Sequence, residues 1–117
     1  MNVEVANLEL CKELYELSNW GDCELRHDIR GSEPMVLHGH IAAPGCTPAY
    51  GLGYLLRKLP PERLGGRLCV EWQYEDTWKA MYYAVGLEGE LADTPENALC
   101  KLAIELFKQG VLTRSEK

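Results

Sequence analysis

Three histidines are the residues best placed to do chemistry: His27, His38 and His40, with Asp28 beside the first and Cys46 beyond the last. Imidazole nitrogen and thiolate are ligands that a borderline metal such as zinc accepts. In an extended strand, His38 and His40 project from the same face. The spacing lacks the paired Cys or Cys/His knuckles of a common structural zinc site. Polar or partly buried histidines are therefore the expectation, with no cofactor, and a metal-dependent protein or enzyme using the His38 and His40 strand is the competing function.

Other chemistry-bearing groups give less. Gly51-Leu52-Gly53 falls inside a helical pattern instead of a strand-to-helix loop, and Leu64-Gly65-Gly66-Arg67 lacks the Lys-Ser/Thr pair of a phosphate cradle. Ser18, Ser32 and Ser115 have no nucleophile elbow around them, and the cysteines form no catalytic Cys-His pattern. Glu71, Glu75 and Asp76 gather about a turn, where carboxylates remain solvated. No catalytic residue is expected, and a non-enzyme is favoured.

Trp72, Tyr74, Trp78, Tyr82 and Tyr83 crowd one segment. A single helical layer buries one face of a sheet, which leaves the other available to a partner, and Trp and Tyr combine apolar area with a polar handle. The expected function is a non-catalytic protein-interaction module that binds a protein partner or forms a homodimer. Trp78, Tyr82 and Glu75 are the expected contact residues, with Trp72 and Tyr83 in the core if the hairpin turns on a two-residue loop.

The 117 residues suit one domain spanning 1–117, and a hydrophobic fraction of 46% is that of a folded chain. Eighteen acidic against twelve basic residues give a formal charge of −6, which disfavours nucleic acid and anionic lipid as partners. The densest basic group is Arg57, Lys58, Arg63 and Arg67, read as a solvated face. Cys11, Cys23, Cys46, Cys69 and Cys100 are odd in number and widely spaced, and Asn2-Val3-Glu4-Val5 opens no secretory pattern. No segment has the roughly twenty apolar residues that span a bilayer. Free thiols and a cytoplasmic location follow as expectations.

These groups must be positioned by a handful of elements. Leu10, Leu14 and Leu17, flanked by Cys11 and Tyr15, make the stripe of a first helix over about 8–18, capped by Asn7. Segments 23–29 and 34–41 alternate as short strands, Pro34 suiting a strand start or an edge. Thr47 and Pro48 read as cap and first residue of a second helix with Leu52, Leu55, Leu56 and Leu59 on its apolar face, stopped by Pro60 and Pro61.

A hairpin over 67–85 has two possible registers. A two-residue loop at Asp76-Thr77 sets Met81, Tyr83 and Val85 against Leu68, Val70 and Trp72, whereas a three-residue loop puts Trp72 and Tyr74 on a face with Trp78, Ala80 and Tyr82. The last helix spans about 95–109. Asp93 or Thr94 caps it, Pro95 sits first, and Leu99, Leu102, Ala103, Leu106 and Phe107 form its stripe. Gly110 supplies the left-handed stop, and Val111 and Leu112 fold back. The fold class is α+β: a small antiparallel sheet with helices, in the approximate order αββαββα.

Asp93-Thr94-Pro95-Glu96-Asn97-Ala98-Leu99, following a hairpin, resembles the strand-to-helix junction of HicB-like antitoxin domains. That resemblance implies a small α+β protein-interaction module; its toxin partner is not carried over. The stretches Pro48 to Pro60 and Ala92 to Gly110 are similar to short phage or prophage proteins. What this implies is a phage-encoded modulator or inhibitor of host machinery.

Overall fold

The computed structural model describes residues 4–23, 25–30, 33–38, 47–63, 66–83 and 89–114, with the backbone alone for 28–30, 33–35, 37, 38 and 83. Among the described residues it is a small α+β fold with three helices and two antiparallel sheets. The helices are α1 (Leu8–Ser18), α2 (Leu52–Lys58) and α3 (Pro95–Lys108). The strands are β1 (Leu25–Arg30), β2 (Glu33–His38), β3 (Thr47–Pro48), β4 (Glu62–Arg63), β5 (Gly66–Tyr74), β6 (Thr77–Tyr83) and β7 (Glu90–Ala92). The two strand pairs expected in a common sheet belong to separate ones, ordered β2-β1-β3 and β4-β5-β6-β7.

Local chemistry explains the helix ends. The Asn7 side chain accepts from the Leu10 amide at 2.9 Å, and the Thr94 hydroxyl accepts from the Asn97 amide at 3.0 Å. Each satisfies a first-turn donor that the helix itself leaves unpaired. Pro95 opens α3 without loss because its missing N–H has no helical partner there. At the other end Gly110 takes φ +79°, a left-handed conformation open to glycine, and the Val111 amide turns back to the Leu106 carbonyl at 2.9 Å.

α3 is the centre of the fold. It packs against β5, β6 and β7 and also against α1 and α2, so apolar side chains surround most of it: Ala98, Leu99, Leu102, Ala103, Ile104 and Leu106 are all buried. From α1, Cys11 and Leu14 enter the same core, joined by Tyr50 and Leu55 from the middle of the chain.

Thr47 and Pro48 do not start a helix. They form β3, antiparallel to β1 with His27 opposite Thr47 and Arg26 opposite Pro48, and α2 begins only at Leu52 behind an extended Gly51. As the edge of its sheet, β3 can accept a proline. The extended run also delivers Tyr50 to the core, fully buried, with its hydroxyl donating to the Trp20 carbonyl at 2.7 Å. Burying a tyrosine with its polar end satisfied outweighs one earlier turn of helix.

The hairpin follows a third course. Leu68 faces Tyr82, Val70 faces Ala80 and Trp72 faces Trp78, which puts Trp72 on the face of Trp78, Ala80 and Tyr82 but in neither expected register, and the turn is the two-residue Glu75-Asp76. An irregularity between Trp72 and Tyr74 reconciles them: β5 spends an extra residue, which sets Tyr74 opposite Thr77. The short edge strands β4 and β7 flank the hairpin, Glu62 pairing Arg67 and Ala92 pairing Trp78.

Candidate functional site

The three expected contact residues end up in different places. Tyr82 is a correction: only 3% exposed, it lies under α3 with its hydroxyl donating to the Pro60 carbonyl at 2.7 Å. Its strand position puts it on the face that α3 covers, so the monomer buries it. Trp78 is half-buried and packs against the core. Glu75 is exposed at the turn with φ +49°, and its carbonyl accepts from the Trp72 indole N–H.

Trp72, expected in the core, is 58% exposed, and Tyr74 is 62% exposed. α3 covers the hairpin only towards its base, where Ala80 and Tyr82 lie buried. Beyond that Trp72 continues the row without a lid among the described residues, and Tyr74, opposite Thr77 past the irregularity, stands exposed next to it. Glu75 and Asp76 are exposed beside it, and Glu71, half-buried, accepts from the Gln73 amide at 2.8 Å. The result is an aromatic tip with an acidic rim.

A second feature lies where the chain after α1 meets α2. A half-open cleft of about 470 Å³ is lined by Asp22, Leu25, Ala49, Tyr54, Arg57 and Lys58 among others. Tyr54 and Lys58, one turn apart on α2, both donate to Asp22: the phenol to Oδ1, the ammonium to Oδ2 at 3.1 Å. The Tyr54 hydroxyl, and then Lys58, hold the Asp22 carboxyl below its ordinary value, while burial and the same carboxylate push the Tyr54 phenol up. The Lys58 ammonium also lies over the rings of Tyr54 and Trp20, at 5.5 and 5.8 Å from their centroids.

The core gathers groups that the spacing of the cysteines did not bring together. The Cys11 thiol donates to the Ala6 carbonyl at 3.4 Å, and His27 Nε2 lies 3.1 Å from the same oxygen. Cys100 reaches across from α3, within hydrogen-bond range of Cys11 and of the Leu10 carbonyl at 3.6 Å. Contact with Cys100, aided by His27, lowers the Cys11 thiol against the opposing effect of burial, and the same contact raises Cys100. Both thiols have no exposed surface and His27 is 7% exposed, so no substrate reaches them and the cluster ties α1, β1 and α3 together.

His27 therefore serves the core. His40, Cys46 and the side chains of Asp28, His38 and Tyr83 lie outside the described residues. Among the described residues no group of three His, Cys, Asp or Glu is arranged to hold a metal ion, and no helix is long and apolar enough to cross a membrane. A scan against protein-family models and searches of curated proteins and solved structures found no match to this chain. The HicB-like and phage-protein resemblances thus rest on the quoted stretches of sequence.

Proposed function

We propose that this chain is a non-catalytic protein-interaction module whose contact surface is the tip of the β5–β6 hairpin. Trp72 and Tyr74 are the anchors, with Glu75 and the accessible part of Trp78 beside them. The observation that carries this reading is the pair of large aromatic side chains, 58% and 62% exposed, at the end of a hairpin that buries Ala80 and Tyr82 nearer its base. Aromatic anchors of this kind supply much of the energy of protein interfaces when a partner pocket desolvates them.

The rim selects the partner. Glu75 and Asp76 stand exposed next to the aromatics, which suits an apolar pocket bordered by Lys or Arg. A two-fold dimer through the same tip would bring the two acidic rims together, so a different protein is favoured over a second copy. Such a module acts by covering a surface of a larger assembly, in keeping with a modulator of host machinery.

Affinity capture from the native host tests this, comparing the wild-type chain with Trp72→Ala and Tyr74→Ala. The expected result is a reproducible partner lost from both variants while their thermal midpoints stay unchanged. Capture of the same protein by all three chains would remove the tip from the interface.

A further inference from the structure

We propose that the cleft beside α2 binds a small phosphate monoester, held by the guanidinium of Arg57 and the ammonium of Lys58. The chain as a whole carries −6, yet among the described residues lining this cleft two cations stand against one carboxylate, that of Asp22. The local sign is therefore opposite to that of the molecule, which is what recruits an anion to one place on an acidic protein.

The donors have capacity to spare. Lys58 carries three N–H groups, of which one is directed at Asp22 Oδ2. Arg57 has neither a hydrogen bond nor an ion pair to another described residue, and its planar fork matches a phosphoryl group in bidentate fashion. Gly53 accommodates it: a Cβ at that position would meet the Arg57 Nη1 atom at 3.3 Å and nothing else nearby. The glycine therefore answers no packing demand of the core, but it leaves the space in which the guanidinium lies along α2.

The site is also held in shape before any ligand arrives. Tyr50, fully buried, stacks on Tyr54 with centroids 5.3 Å apart, and Trp20 meets Tyr54 edge-on at 6.5 Å. These rings fix the side of the cleft over which Lys58 lies. Leu25 and Ala49 give an apolar wall for the organic body of the ligand, and the volume of about 470 Å³ lies within the range of small-molecule sites. Phosphate is preferred to carboxylate because Asp22 already occupies the Tyr54 hydroxyl and one Lys58 donor. A monoanion finds little beyond Arg57, whereas a phosphate monoester, largely dianionic at pH 7, can take Arg57 and the remaining Lys58 donors together.

The test is a titration of the full chain with phenyl phosphate, followed by amide proton and nitrogen shifts, alongside inorganic phosphate and benzoate. Saturable shifts are expected at Asp22, Leu25, Gly51, Tyr54 and Arg57, at about millimolar concentration. Phenyl phosphate should bind more tightly than either control, and binding should weaken as salt rises. Arg57→Gln should weaken it about tenfold or more, and Gly53→Ala to a smaller degree, while Trp72→Ala leaves it unchanged. Arg57 is exposed, so its variant keeps the fold and its thermal midpoint serves as the control. No saturable shift by about 10 mM phenyl phosphate, a weakest-detectable regime, overturns the proposal. So does benzoate binding as tightly, or full affinity in Arg57→Gln.

Discussion

The base and the tip of the β5–β6 hairpin share one face and one kind of residue, yet differ in their surroundings. At the base, Ala80 and Tyr82 lie buried against α3. At the tip, Trp72 follows in the same row and meets no cover among the described residues. Both regions are rich in aromatic area, so residue type does not separate core from surface here. What separates them is how far α3 reaches along the hairpin. An aromatic row longer than the helix that covers it divides into a structural part and a part available for contact.

The sharpest way to break this comparison is truncation at either end. Tyr82→Ala should destabilise the protein by about 3–5 kcal/mol, the usual cost of emptying a large aromatic site in a core. Trp72→Ala should change stability by no more than about 0.5 kcal/mol, as an exposed position does. Urea unfolding of the two variants checks both, and equal losses would abolish the distinction between base and tip. Against its partner, Trp72→Ala should instead cost about 2 kcal/mol or more, read by titration calorimetry.

The turn offers a smaller effect of opposite sign. Glu75 holds φ +49°, where an L side chain is crowded against its own backbone, so Glu75→Gly should stabilise the fold by about 1 kcal/mol. A lower denaturant midpoint would show that the Trp72 bond to the Glu75 carbonyl needs the glutamate backbone as it is. The smallest effect lies outside the hairpin. Because Tyr54 and Lys58 depress the Asp22 carboxyl, the stability it confers is complete above its unfolded value and is lost as pH falls through the lower folded value. With the Asp22 side chain 65% exposed, solvent screens most of this, and Asp22→Asn should only slightly flatten the acid side of the pH–stability curve.

The features legible in the sequence were those decided within a few residues. Asn7, Thr94, Pro95 and Gly110 act on backbone groups in their own turn, and each does what its type and position suggested. Thr47-Pro48 carried the same kind of signal and misled. Its backbone was claimed by β1, and the demand came from Tyr50, whose burial depends on Trp20 thirty positions away. The hairpin parity escaped for a related reason: one irregular residue between Trp72 and Tyr74 lets a two-residue turn coexist with Trp72 on the face of Trp78, Ala80 and Tyr82. β4 and β7 are too short to show alternation at all.

The candidate sites were less legible than the fold. Tyr54 and Lys58 stand four apart on an amphipathic helix, so a shared acceptor was foreseeable, but nothing local pointed to Asp22. The meeting of Cys11, His27 and Cys100 depends wholly on tertiary packing. The aromatic cluster was visible from composition, and only the reach of α3 could tell which members of it remain exposed.

The contacts joining α1 to α3 have a consequence for how the protein is made. The Asn7 amide donates to the Asn97 side chain at 2.7 Å, and Cys100 donates to the Leu10 carbonyl, each across 90 positions. At about 5–20 residues per second of synthesis, the first helix waits roughly 5–18 s for its partner to be polymerised. Throughout that interval Leu14, Cys11 and Leu10 have no α3 to pack against, and the nascent chain presents an apolar stripe to whatever surrounds the ribosome. The core therefore cannot close until α3 has emerged, and a ribosome that stalls before it does leaves a chain deprived of the helix at the centre of its core.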